Sequence, residues 1–237
     1  MIKKDGEKSS QKKIDFVKWF SELNRKSGSV AGGKGANLAE IYNMKIPVPP
    51  GFVITAQAYE YFLENSGVSD EIKRILEEID YENTNQLNEK TEEIRKLIIS
   101  GKIPKDMEDE IIDSYESLDV SKEGVERGTA LDILKSSSEP VFVAVRSSAT
   151  TEDLETASFA GQQETFLNVR GNEQLLESVK KCFASLYTAR ATYYRNKKGF
   201  KHEDSKLAVI IQKMINSDKS GVVFSKDPTN PENKNVI

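Results

Sequence analysis

The spacing of apolar positions changes along this chain, and each change marks an element. From Ile14 onward, Phe16, Val17, Phe20 and Leu23 recur at helical spacing, which predicts a helix there. Glycines at 28, 32, 33 and 35 interrupt that pattern, and Ala36, Leu38, Ala39 and Ile41 resume a short helix. Ile46-Pro-Val-Pro-Pro-Gly51 is stiff and extended, because proline fixes its own φ and restricts the residue before it. Phe52-Val-Ile-Thr55 predicts a short buried strand, and Thr55 is placed to cap a helix carrying Ala58, Tyr61, Phe62 and Leu63.

Residues 67–135 are charged and amphipathic. Ile72, Ile75, Leu76 and Ile79 form one helical stripe, and Ile94, Leu97 and Ile98 another. Pro104 suits the first position of a further helix with Met107, Ile111 and Ile112. This stretch carries no chemical motif and reads as a helical packing insert. After Ser136-Ser-Ser-Glu-Pro140 the pattern shifts to short apolar runs. Val141–Val145, Thr165–Val169, Leu207–Gln212 and Gly221–Ser225 predict strands. Between them, Asn172 is placed to cap a helix faced by Leu175, Leu176, Val179, Phe183 and Leu186, and a second helix carries Ala191 and Tyr194. Strands mixed with helices predict an α+β or α/β class, without internal repeats.

Composition narrows the function classes. The chain has 237 residues, 37% hydrophobic and 30% charged, which suits a soluble globular protein of one large or two small domains. Its formal net charge of −4 argues against non-specific nucleic-acid binding, which rests on Lys and Arg neutralising phosphates. The single cysteine, Cys182, permits no intrachain disulfide and fits a cytoplasmic location. Residues 1–13 form a polar tail without the apolar core of a signal peptide, and no stretch is long enough to cross a membrane.

Four segments could carry chemistry. In Gly32-Gly-Lys-Gly35, glycines let backbone N–H groups approach a phosphate and Lys34 adds a mobile charge. This is not the Walker spacing, and a solvated turn fits the same residues. In Val143-Ala-Val-Arg-Ser-Ser-Ala149, Arg146 leaves an apolar strand with a fork suited to phosphate oxygens, and Ser147 and Ser148 are further donors. An ion pair of Arg146 with Glu152, Asp153 or Glu155 is the plainer alternative. The polar loop from Thr150 to Gly161 is placed to close over a ligand or to lie passively on the surface. Gln212-Lys-Met214 ends a strand, where a glutamine can read an adenine edge and Met214 can pack on the ring, or can simply join the core. His202, in a charged loop, reads as plain surface, and Cys182 as a packing residue. No His/Cys cluster has metal-ligand spacing.

Five segments in order resemble one family. They are Val30-Ala-Gly-Gly-Lys-Gly-Ala-Asn-Leu-Ala-Glu40, Val48-Pro-Pro-Gly-Phe52, Val143-Ala-Val-Arg-Ser-Ser-Ala-Thr150, Ala157-Ser-Phe-Ala-Gly-Gln-Gln-Glu-Thr-Phe-Leu-Asn168 and Ser220-Gly-Val-Val-Phe-Ser225. Together they look like the nucleotide-binding domain of the pyruvate phosphate dikinase / phosphoenolpyruvate synthase family, and the Gly161–Asn168 segment resembles the synthase branch. Rifampicin-type antibiotic phosphotransferases share this domain, and a non-catalytic scaffold that docks through 67–135 is a third reading.

The resemblance implies an α+β, ATP-grasp-like domain of two lobes with ATP between them. It divides the chain into a 1–13 tail, a 14–66 first part of the N-terminal lobe, the 67–135 insert, and a 136–237 stretch that completes this lobe and begins the next. It implies that Lys34 and Arg146 contact the ATP phosphates and act in catalysis, that Thr165 lies near the nucleotide, and that Gln212 and Met214 meet the adenine. It further implies partners in a full-length enzyme: a phosphohistidine domain and a pyruvate-binding domain. The Mg2+ ligands are expected in a missing C-terminal part, roughly a hundred residues in size. His202 does not match the family's phosphorylated histidine.

Overall fold

The computed structural model describes residues 14–118, 140–150 and 164–223. Five strands form one sheet: β1 (Val17–Trp19), β2 (Gly51–Ile54), β3 (Val143–Ala149), β4 (Thr165–Val169) and β5 (Leu207–Lys213). Their order is β1-β2-β5-β3-β4, and every neighbouring pair is antiparallel. Seven helices are described: α1 (Gly28–Asn43), α2 (Ala56–Asn65), α3 (Ser69–Glu77), α4 (Thr84–Ser100), α5 (Lys105–Ser117), α6 (Asn172–Ser185) and α7 (Ala189–Lys197). The α+β class follows directly.

Side chains alternate across the sheet, and its two faces meet different partners. One face offers Phe52, Ile54, Val143, Val145, Leu207, Val209 and Ile211 to the main core. Phe62, Ile75, Ile94, Ile98, Met107, Ile111 and Phe183 pack onto it from α2 to α6. The helices of 67–118 therefore bury their apolar stripes in the same core as the sheet. Tyr115 of α5 fixes this packing with polar contacts: its hydroxyl donates to the Val141 carbonyl at 2.6 Å and accepts from the Gly171 N–H at 2.9 Å. The opposite face has a smaller core, in which Val53, Ala208 and Ile210 lie beneath Ala31 and Ala39 of α1 and against Phe20 and Leu23. Both central strands are thus covered on two sides, which explains their uninterrupted apolar runs.

Thr55 caps α2 as its type requires, its hydroxyl accepting the Ala58 N–H at 3.1 Å. Other local expectations shift. The segment from Ile14 to Leu23 is a short strand followed by a 3-10 turn at Phe20–Glu22, not a helix. The reason is that its apolar residues serve both cores: Phe16 and Val17 enter the main one, Phe20 and Leu23 the smaller one. A chain that wraps a sheet edge can show helical spacing without being a helix. Gly28–Gly35, expected as a break, is helical except at Gly32. Pro104 and Gly171 occupy the cap positions of α5 and α6, one residue earlier than expected for Asn172. Gly221–Val223, the described part of the strand expected over Gly221–Ser225, is not a strand, and Val222 and Val223 lie exposed. No described helix is long and apolar enough to cross a membrane.

His202 also departs from expectation. It is half-buried rather than surface, because the side chain beneath it is Arg195, a guanidinium only 1% exposed. Arg195 Nε donates to His202 Nδ1 at 3.1 Å and its plane lies over the Tyr187 ring. Arginine cannot accept, so Nδ1 is unprotonated and Nε2–H is the donor in the 3.0 Å contact with the Tyr81 hydroxyl. Burial, with the Arg195 charge second, pushes the His202 pKa down to about 4 from an ordinary 6.5. The unfolded chain then binds a proton that the folded chain refuses, so stability falls as pH drops from about 6.5 to about 4. Each unit corresponds to about 1.4 kcal/mol before solvent screening of this half-buried ring, which leaves a total on the order of 1–2 kcal/mol. Urea melts between pH 7 and pH 4 should show this slope, and His202→Gln, which cannot titrate, should flatten it. Cys182 is buried in the main core and its thiol is pushed up by burial, as a packing residue should be.

Candidate phosphate-binding face

The smaller core covers only half of its sheet face. Helix α1 lies chiefly over β5 and the Ser148 end of β3, while Thr165 and Leu167 of β4 are exposed. The register places the candidate residues on that face. Arg146 of β3 stands between Ile210 of β5 and Thr165 of β4, directly opposite both. Cross-strand partners project to the same side, so Arg146 and Thr165 share the face that Ile210 buries under α1. Ala144, two residues before Arg146, pairs with Gln212 and brings it to the same face. Thr165 and Leu167 are exposed and Arg146 is partly buried. No carboxylate among the described residues pairs with Arg146. Glu152, Asp153 and Glu155 lie outside the described residues, as does the loop from 151 to Gly161.

A kink brings the backbone around Lys34 to this face. Gly32 takes φ 67° and ψ 171°, so α1 breaks there and restarts at Gly33. A helix start leaves backbone N–H groups without internal acceptors and carries partial positive charge. Lys34 is the second residue of the restarted helix and Gly35 the third. The Gly35 N–H donates to the Ser148 hydroxyl at 3.1 Å. Ser148 is fully buried on β3, two residues beyond Arg146 and on the same side of the strand. At Gly32 the approach is closer still: a Cβ there would lie 2.3 Å from both the carbonyl and the hydroxyl oxygen of Ser148. The helix start that bears Lys34 is thereby seated on the strand that bears Arg146.

Both serine hydroxyls have partners within the fold. Ser147 donates its hydroxyl to the Glu164 carbonyl at 3.1 Å, holding the entry of β4 to β3. Ser148 accepts the Gly35 N–H. Gln212 donates through Nε2 to the Pro49 carbonyl at 3.2 Å, which ties the strand end to the proline-rich segment. Met214 lies just past β5, its N–H donating to the Phe142 carbonyl at 2.9 Å and its sulfur accepting the Asn168 N–H at 3.1 Å. It is a half-buried residue at the end of the central strands near exposed Phe142 rather than a member of either core. Arg146, Thr165 and Gln212 thus share one face by register, the backbone on either side of Lys34 is seated at the Ser148 end, and Met214 follows β5 at the Phe142 end. Two cations and a helix start suit a polyphosphate, and the apolar edge at Phe142 and Met214 suits a flat ring.

Residues 28–237 match the family described as pyruvate phosphate dikinase, AMP/ATP-binding domain. The chain belongs to this family. Among its similar proteins are the phosphoenolpyruvate synthase of Pyrococcus furiosus, 44% identical over 94% of this chain and 30% of the relative, and the probable phosphoenolpyruvate synthase of Archaeoglobus fulgidus, 46% identical over 93% and 27%. The phosphoenolpyruvate synthase of Helicobacter pylori is 41% identical over 90% of this chain and 25% of its own length. The chain spans less than a third of the length of these relatives. The match to the AMP/ATP-binding domain begins at the first residue of α1, so the kink, β3, β4 and β5 all fall within it. Among the described residues, no group of three or more His, Cys, Asp or Glu side chains is arranged to hold a metal ion.

Proposed function

We propose that this chain binds ATP on the open face of its sheet, within an ATP-grasp-like, two-lobed domain of a phosphoenolpyruvate synthase. The observation that carries the reading is the seating of the Lys34 helix start on Ser148, two residues from Arg146. In this reading the phosphates lie between Lys34 and Arg146, Thr165 flanks them, and the adenine lies toward Gln212 and Met214. The names of the relatives support the choice of reaction.

In that reaction the β- and γ-phosphates of ATP pass together to a histidine nitrogen on a separate domain, and AMP leaves with the broken α–β bridge oxygen. Hydrolysis releases one phosphate, and the remaining phosphohistidine phosphorylates pyruvate at a third domain. Lys34 and Arg146 offset the negative charge that builds on the transferring and leaving oxygens, the main task of a protein in phosphoryl transfer. Adding the histidine-bearing domain of a relative and β-labelled ATP should label that domain and release AMP. Release of ADP instead of AMP would contradict the reading.

Gln212 carries the base preference in this scheme, held in place by Pro49. Gln212→Ala should reduce the preference for ATP over GTP by about 5- to 10-fold, the worth of one hydrogen bond in a shielded site. Competition titrations with the two nucleotides measure this directly. An unchanged ratio would remove Gln212 from base recognition.

A further inference from the structure

We propose that Ser148 is a positioning residue: it sets the helix start that presents Lys34 and couples it to the Arg146 strand. The inference rests on the ATP-binding reading above and adds to it a residue that need not touch the nucleotide.

Three observations carry it. The Ser148 hydroxyl accepts the Gly35 N–H at 3.1 Å across 113 residues of sequence. That N–H is the third of a helix restart and lacks an intrahelical acceptor, so Ser148 acts as a cap supplied from a distant strand. Next, the main chain of Gly32 lies so near Ser148 that a Cβ would fall 2.3 Å from its carbonyl and hydroxyl oxygens. The kink is thus pressed against this one residue on both sides of Lys34. Finally, Ser148 is fully buried and projects to the same side of β3 as Arg146. Burial leaves its hydroxyl little room for a ligand, while its place on the strand ties the two cations together. A cation aimed at a phosphate loses effect when displaced by about an ångström, so the support matters as well as the charge.

The test is a double-mutant cycle on the full chain, read by calorimetric titration with ATP and with adenosine. Ser148→Ala should weaken ATP by about 5- to 10-fold, the range of one lost hydrogen bond, and leave adenosine within about two-fold. Ser148→Thr, which keeps the hydroxyl, should restore most of the ATP affinity. The decisive comparison is with Lys34→Ala. Once Lys34 is absent there is nothing for Ser148 to aim, so Ser148→Ala should cost ATP affinity little further in that background. Full additivity with Lys34→Ala, or an equal loss for ATP and adenosine, would overturn the positioning role while leaving the ATP reading intact. Failure of the unmodified chain to prefer ATP over adenosine would overturn both.

Discussion

Gly32→Ala should abolish the phosphate preference of the chain and lower its stability by about 3–5 kcal/mol. Two costs combine. The φ of 67° with ψ of 171° lies in a region open essentially to glycine alone, which costs another residue about 1–3 kcal/mol. The new Cβ would also meet Ser148 oxygens at 2.3 Å, and one of them is a main-chain carbonyl fixed in the β3–β5 ladder. Overpacking of this kind adds about 1–3 kcal/mol. For a domain of this size the loss corresponds to a fall in melting temperature on the order of 10 °C. If the kink relaxes to avoid the clash, stability recovers but the helix start leaves Ser148, and ATP binding falls all the same. Gly28→Ala is the matched control. It sits at the beginning of the same helix, its Cβ would meet nothing within 4 Å, and its φ is not positive. It should be neutral or stabilising by about 0.5–1 kcal/mol. Thermal melts of the two variants beside the unmodified chain check the contrast, and equal behaviour would mean that the kink carries no strain.

The second large effect concerns the cations. Lys34→Ala and Arg146→Ala should each weaken ATP by about 10- to 100-fold, as expected for a charge-assisted contact of about 1.5–3 kcal/mol. Adenosine lacks the phosphates and should bind each variant as it binds the unmodified chain. Arg146→Lys should recover only part of the loss, because an ammonium cannot reproduce the planar fork. Parallel titrations with ATP and adenosine separate this from damage to the fold. Arg146 is opposite Thr165 and Ile210 in the ladder, and a damaged sheet would weaken both ligands alike.

Strands β2 to β5 were legible in the sequence because their signal is local, whereas β1 was not. Phe52–Ile54 and Leu207–Ile211 are unbroken apolar runs, as strands buried on both faces must be. Lys34 and Arg146 stood out for the same reason, one among glycines and the other at the exit of an apolar strand. What joins them did not show. Ser148 reads as an ordinary polar residue until β3 is laid beneath α1, and its partner is 113 residues away. The glycines of 28–35 gave a misleading signal, since glycine lowers helix propensity but tertiary contact with β3 overrides it. Ile14–Leu23 misled in the opposite direction, because a segment shared between two cores can imitate helical spacing. His202 lay in a charged stretch, and only the fold shows the buried Arg195 beneath it. The family motifs supplied roles for residues whose local pattern left them open, and the sheet register shows that three of them, Arg146, Thr165 and Gln212, share a face.

The most direct measurement is a calorimetric series of AMP, ADP and ATP against the unmodified chain. A site built around Lys34 and Arg146 should bind more tightly with each added phosphate, and the gain should vanish in the Lys34→Ala/Arg146→Ala double variant. An affinity that stays flat from AMP to ATP, or a rise that persists in the double variant, would contradict the assignment of this face to the phosphates.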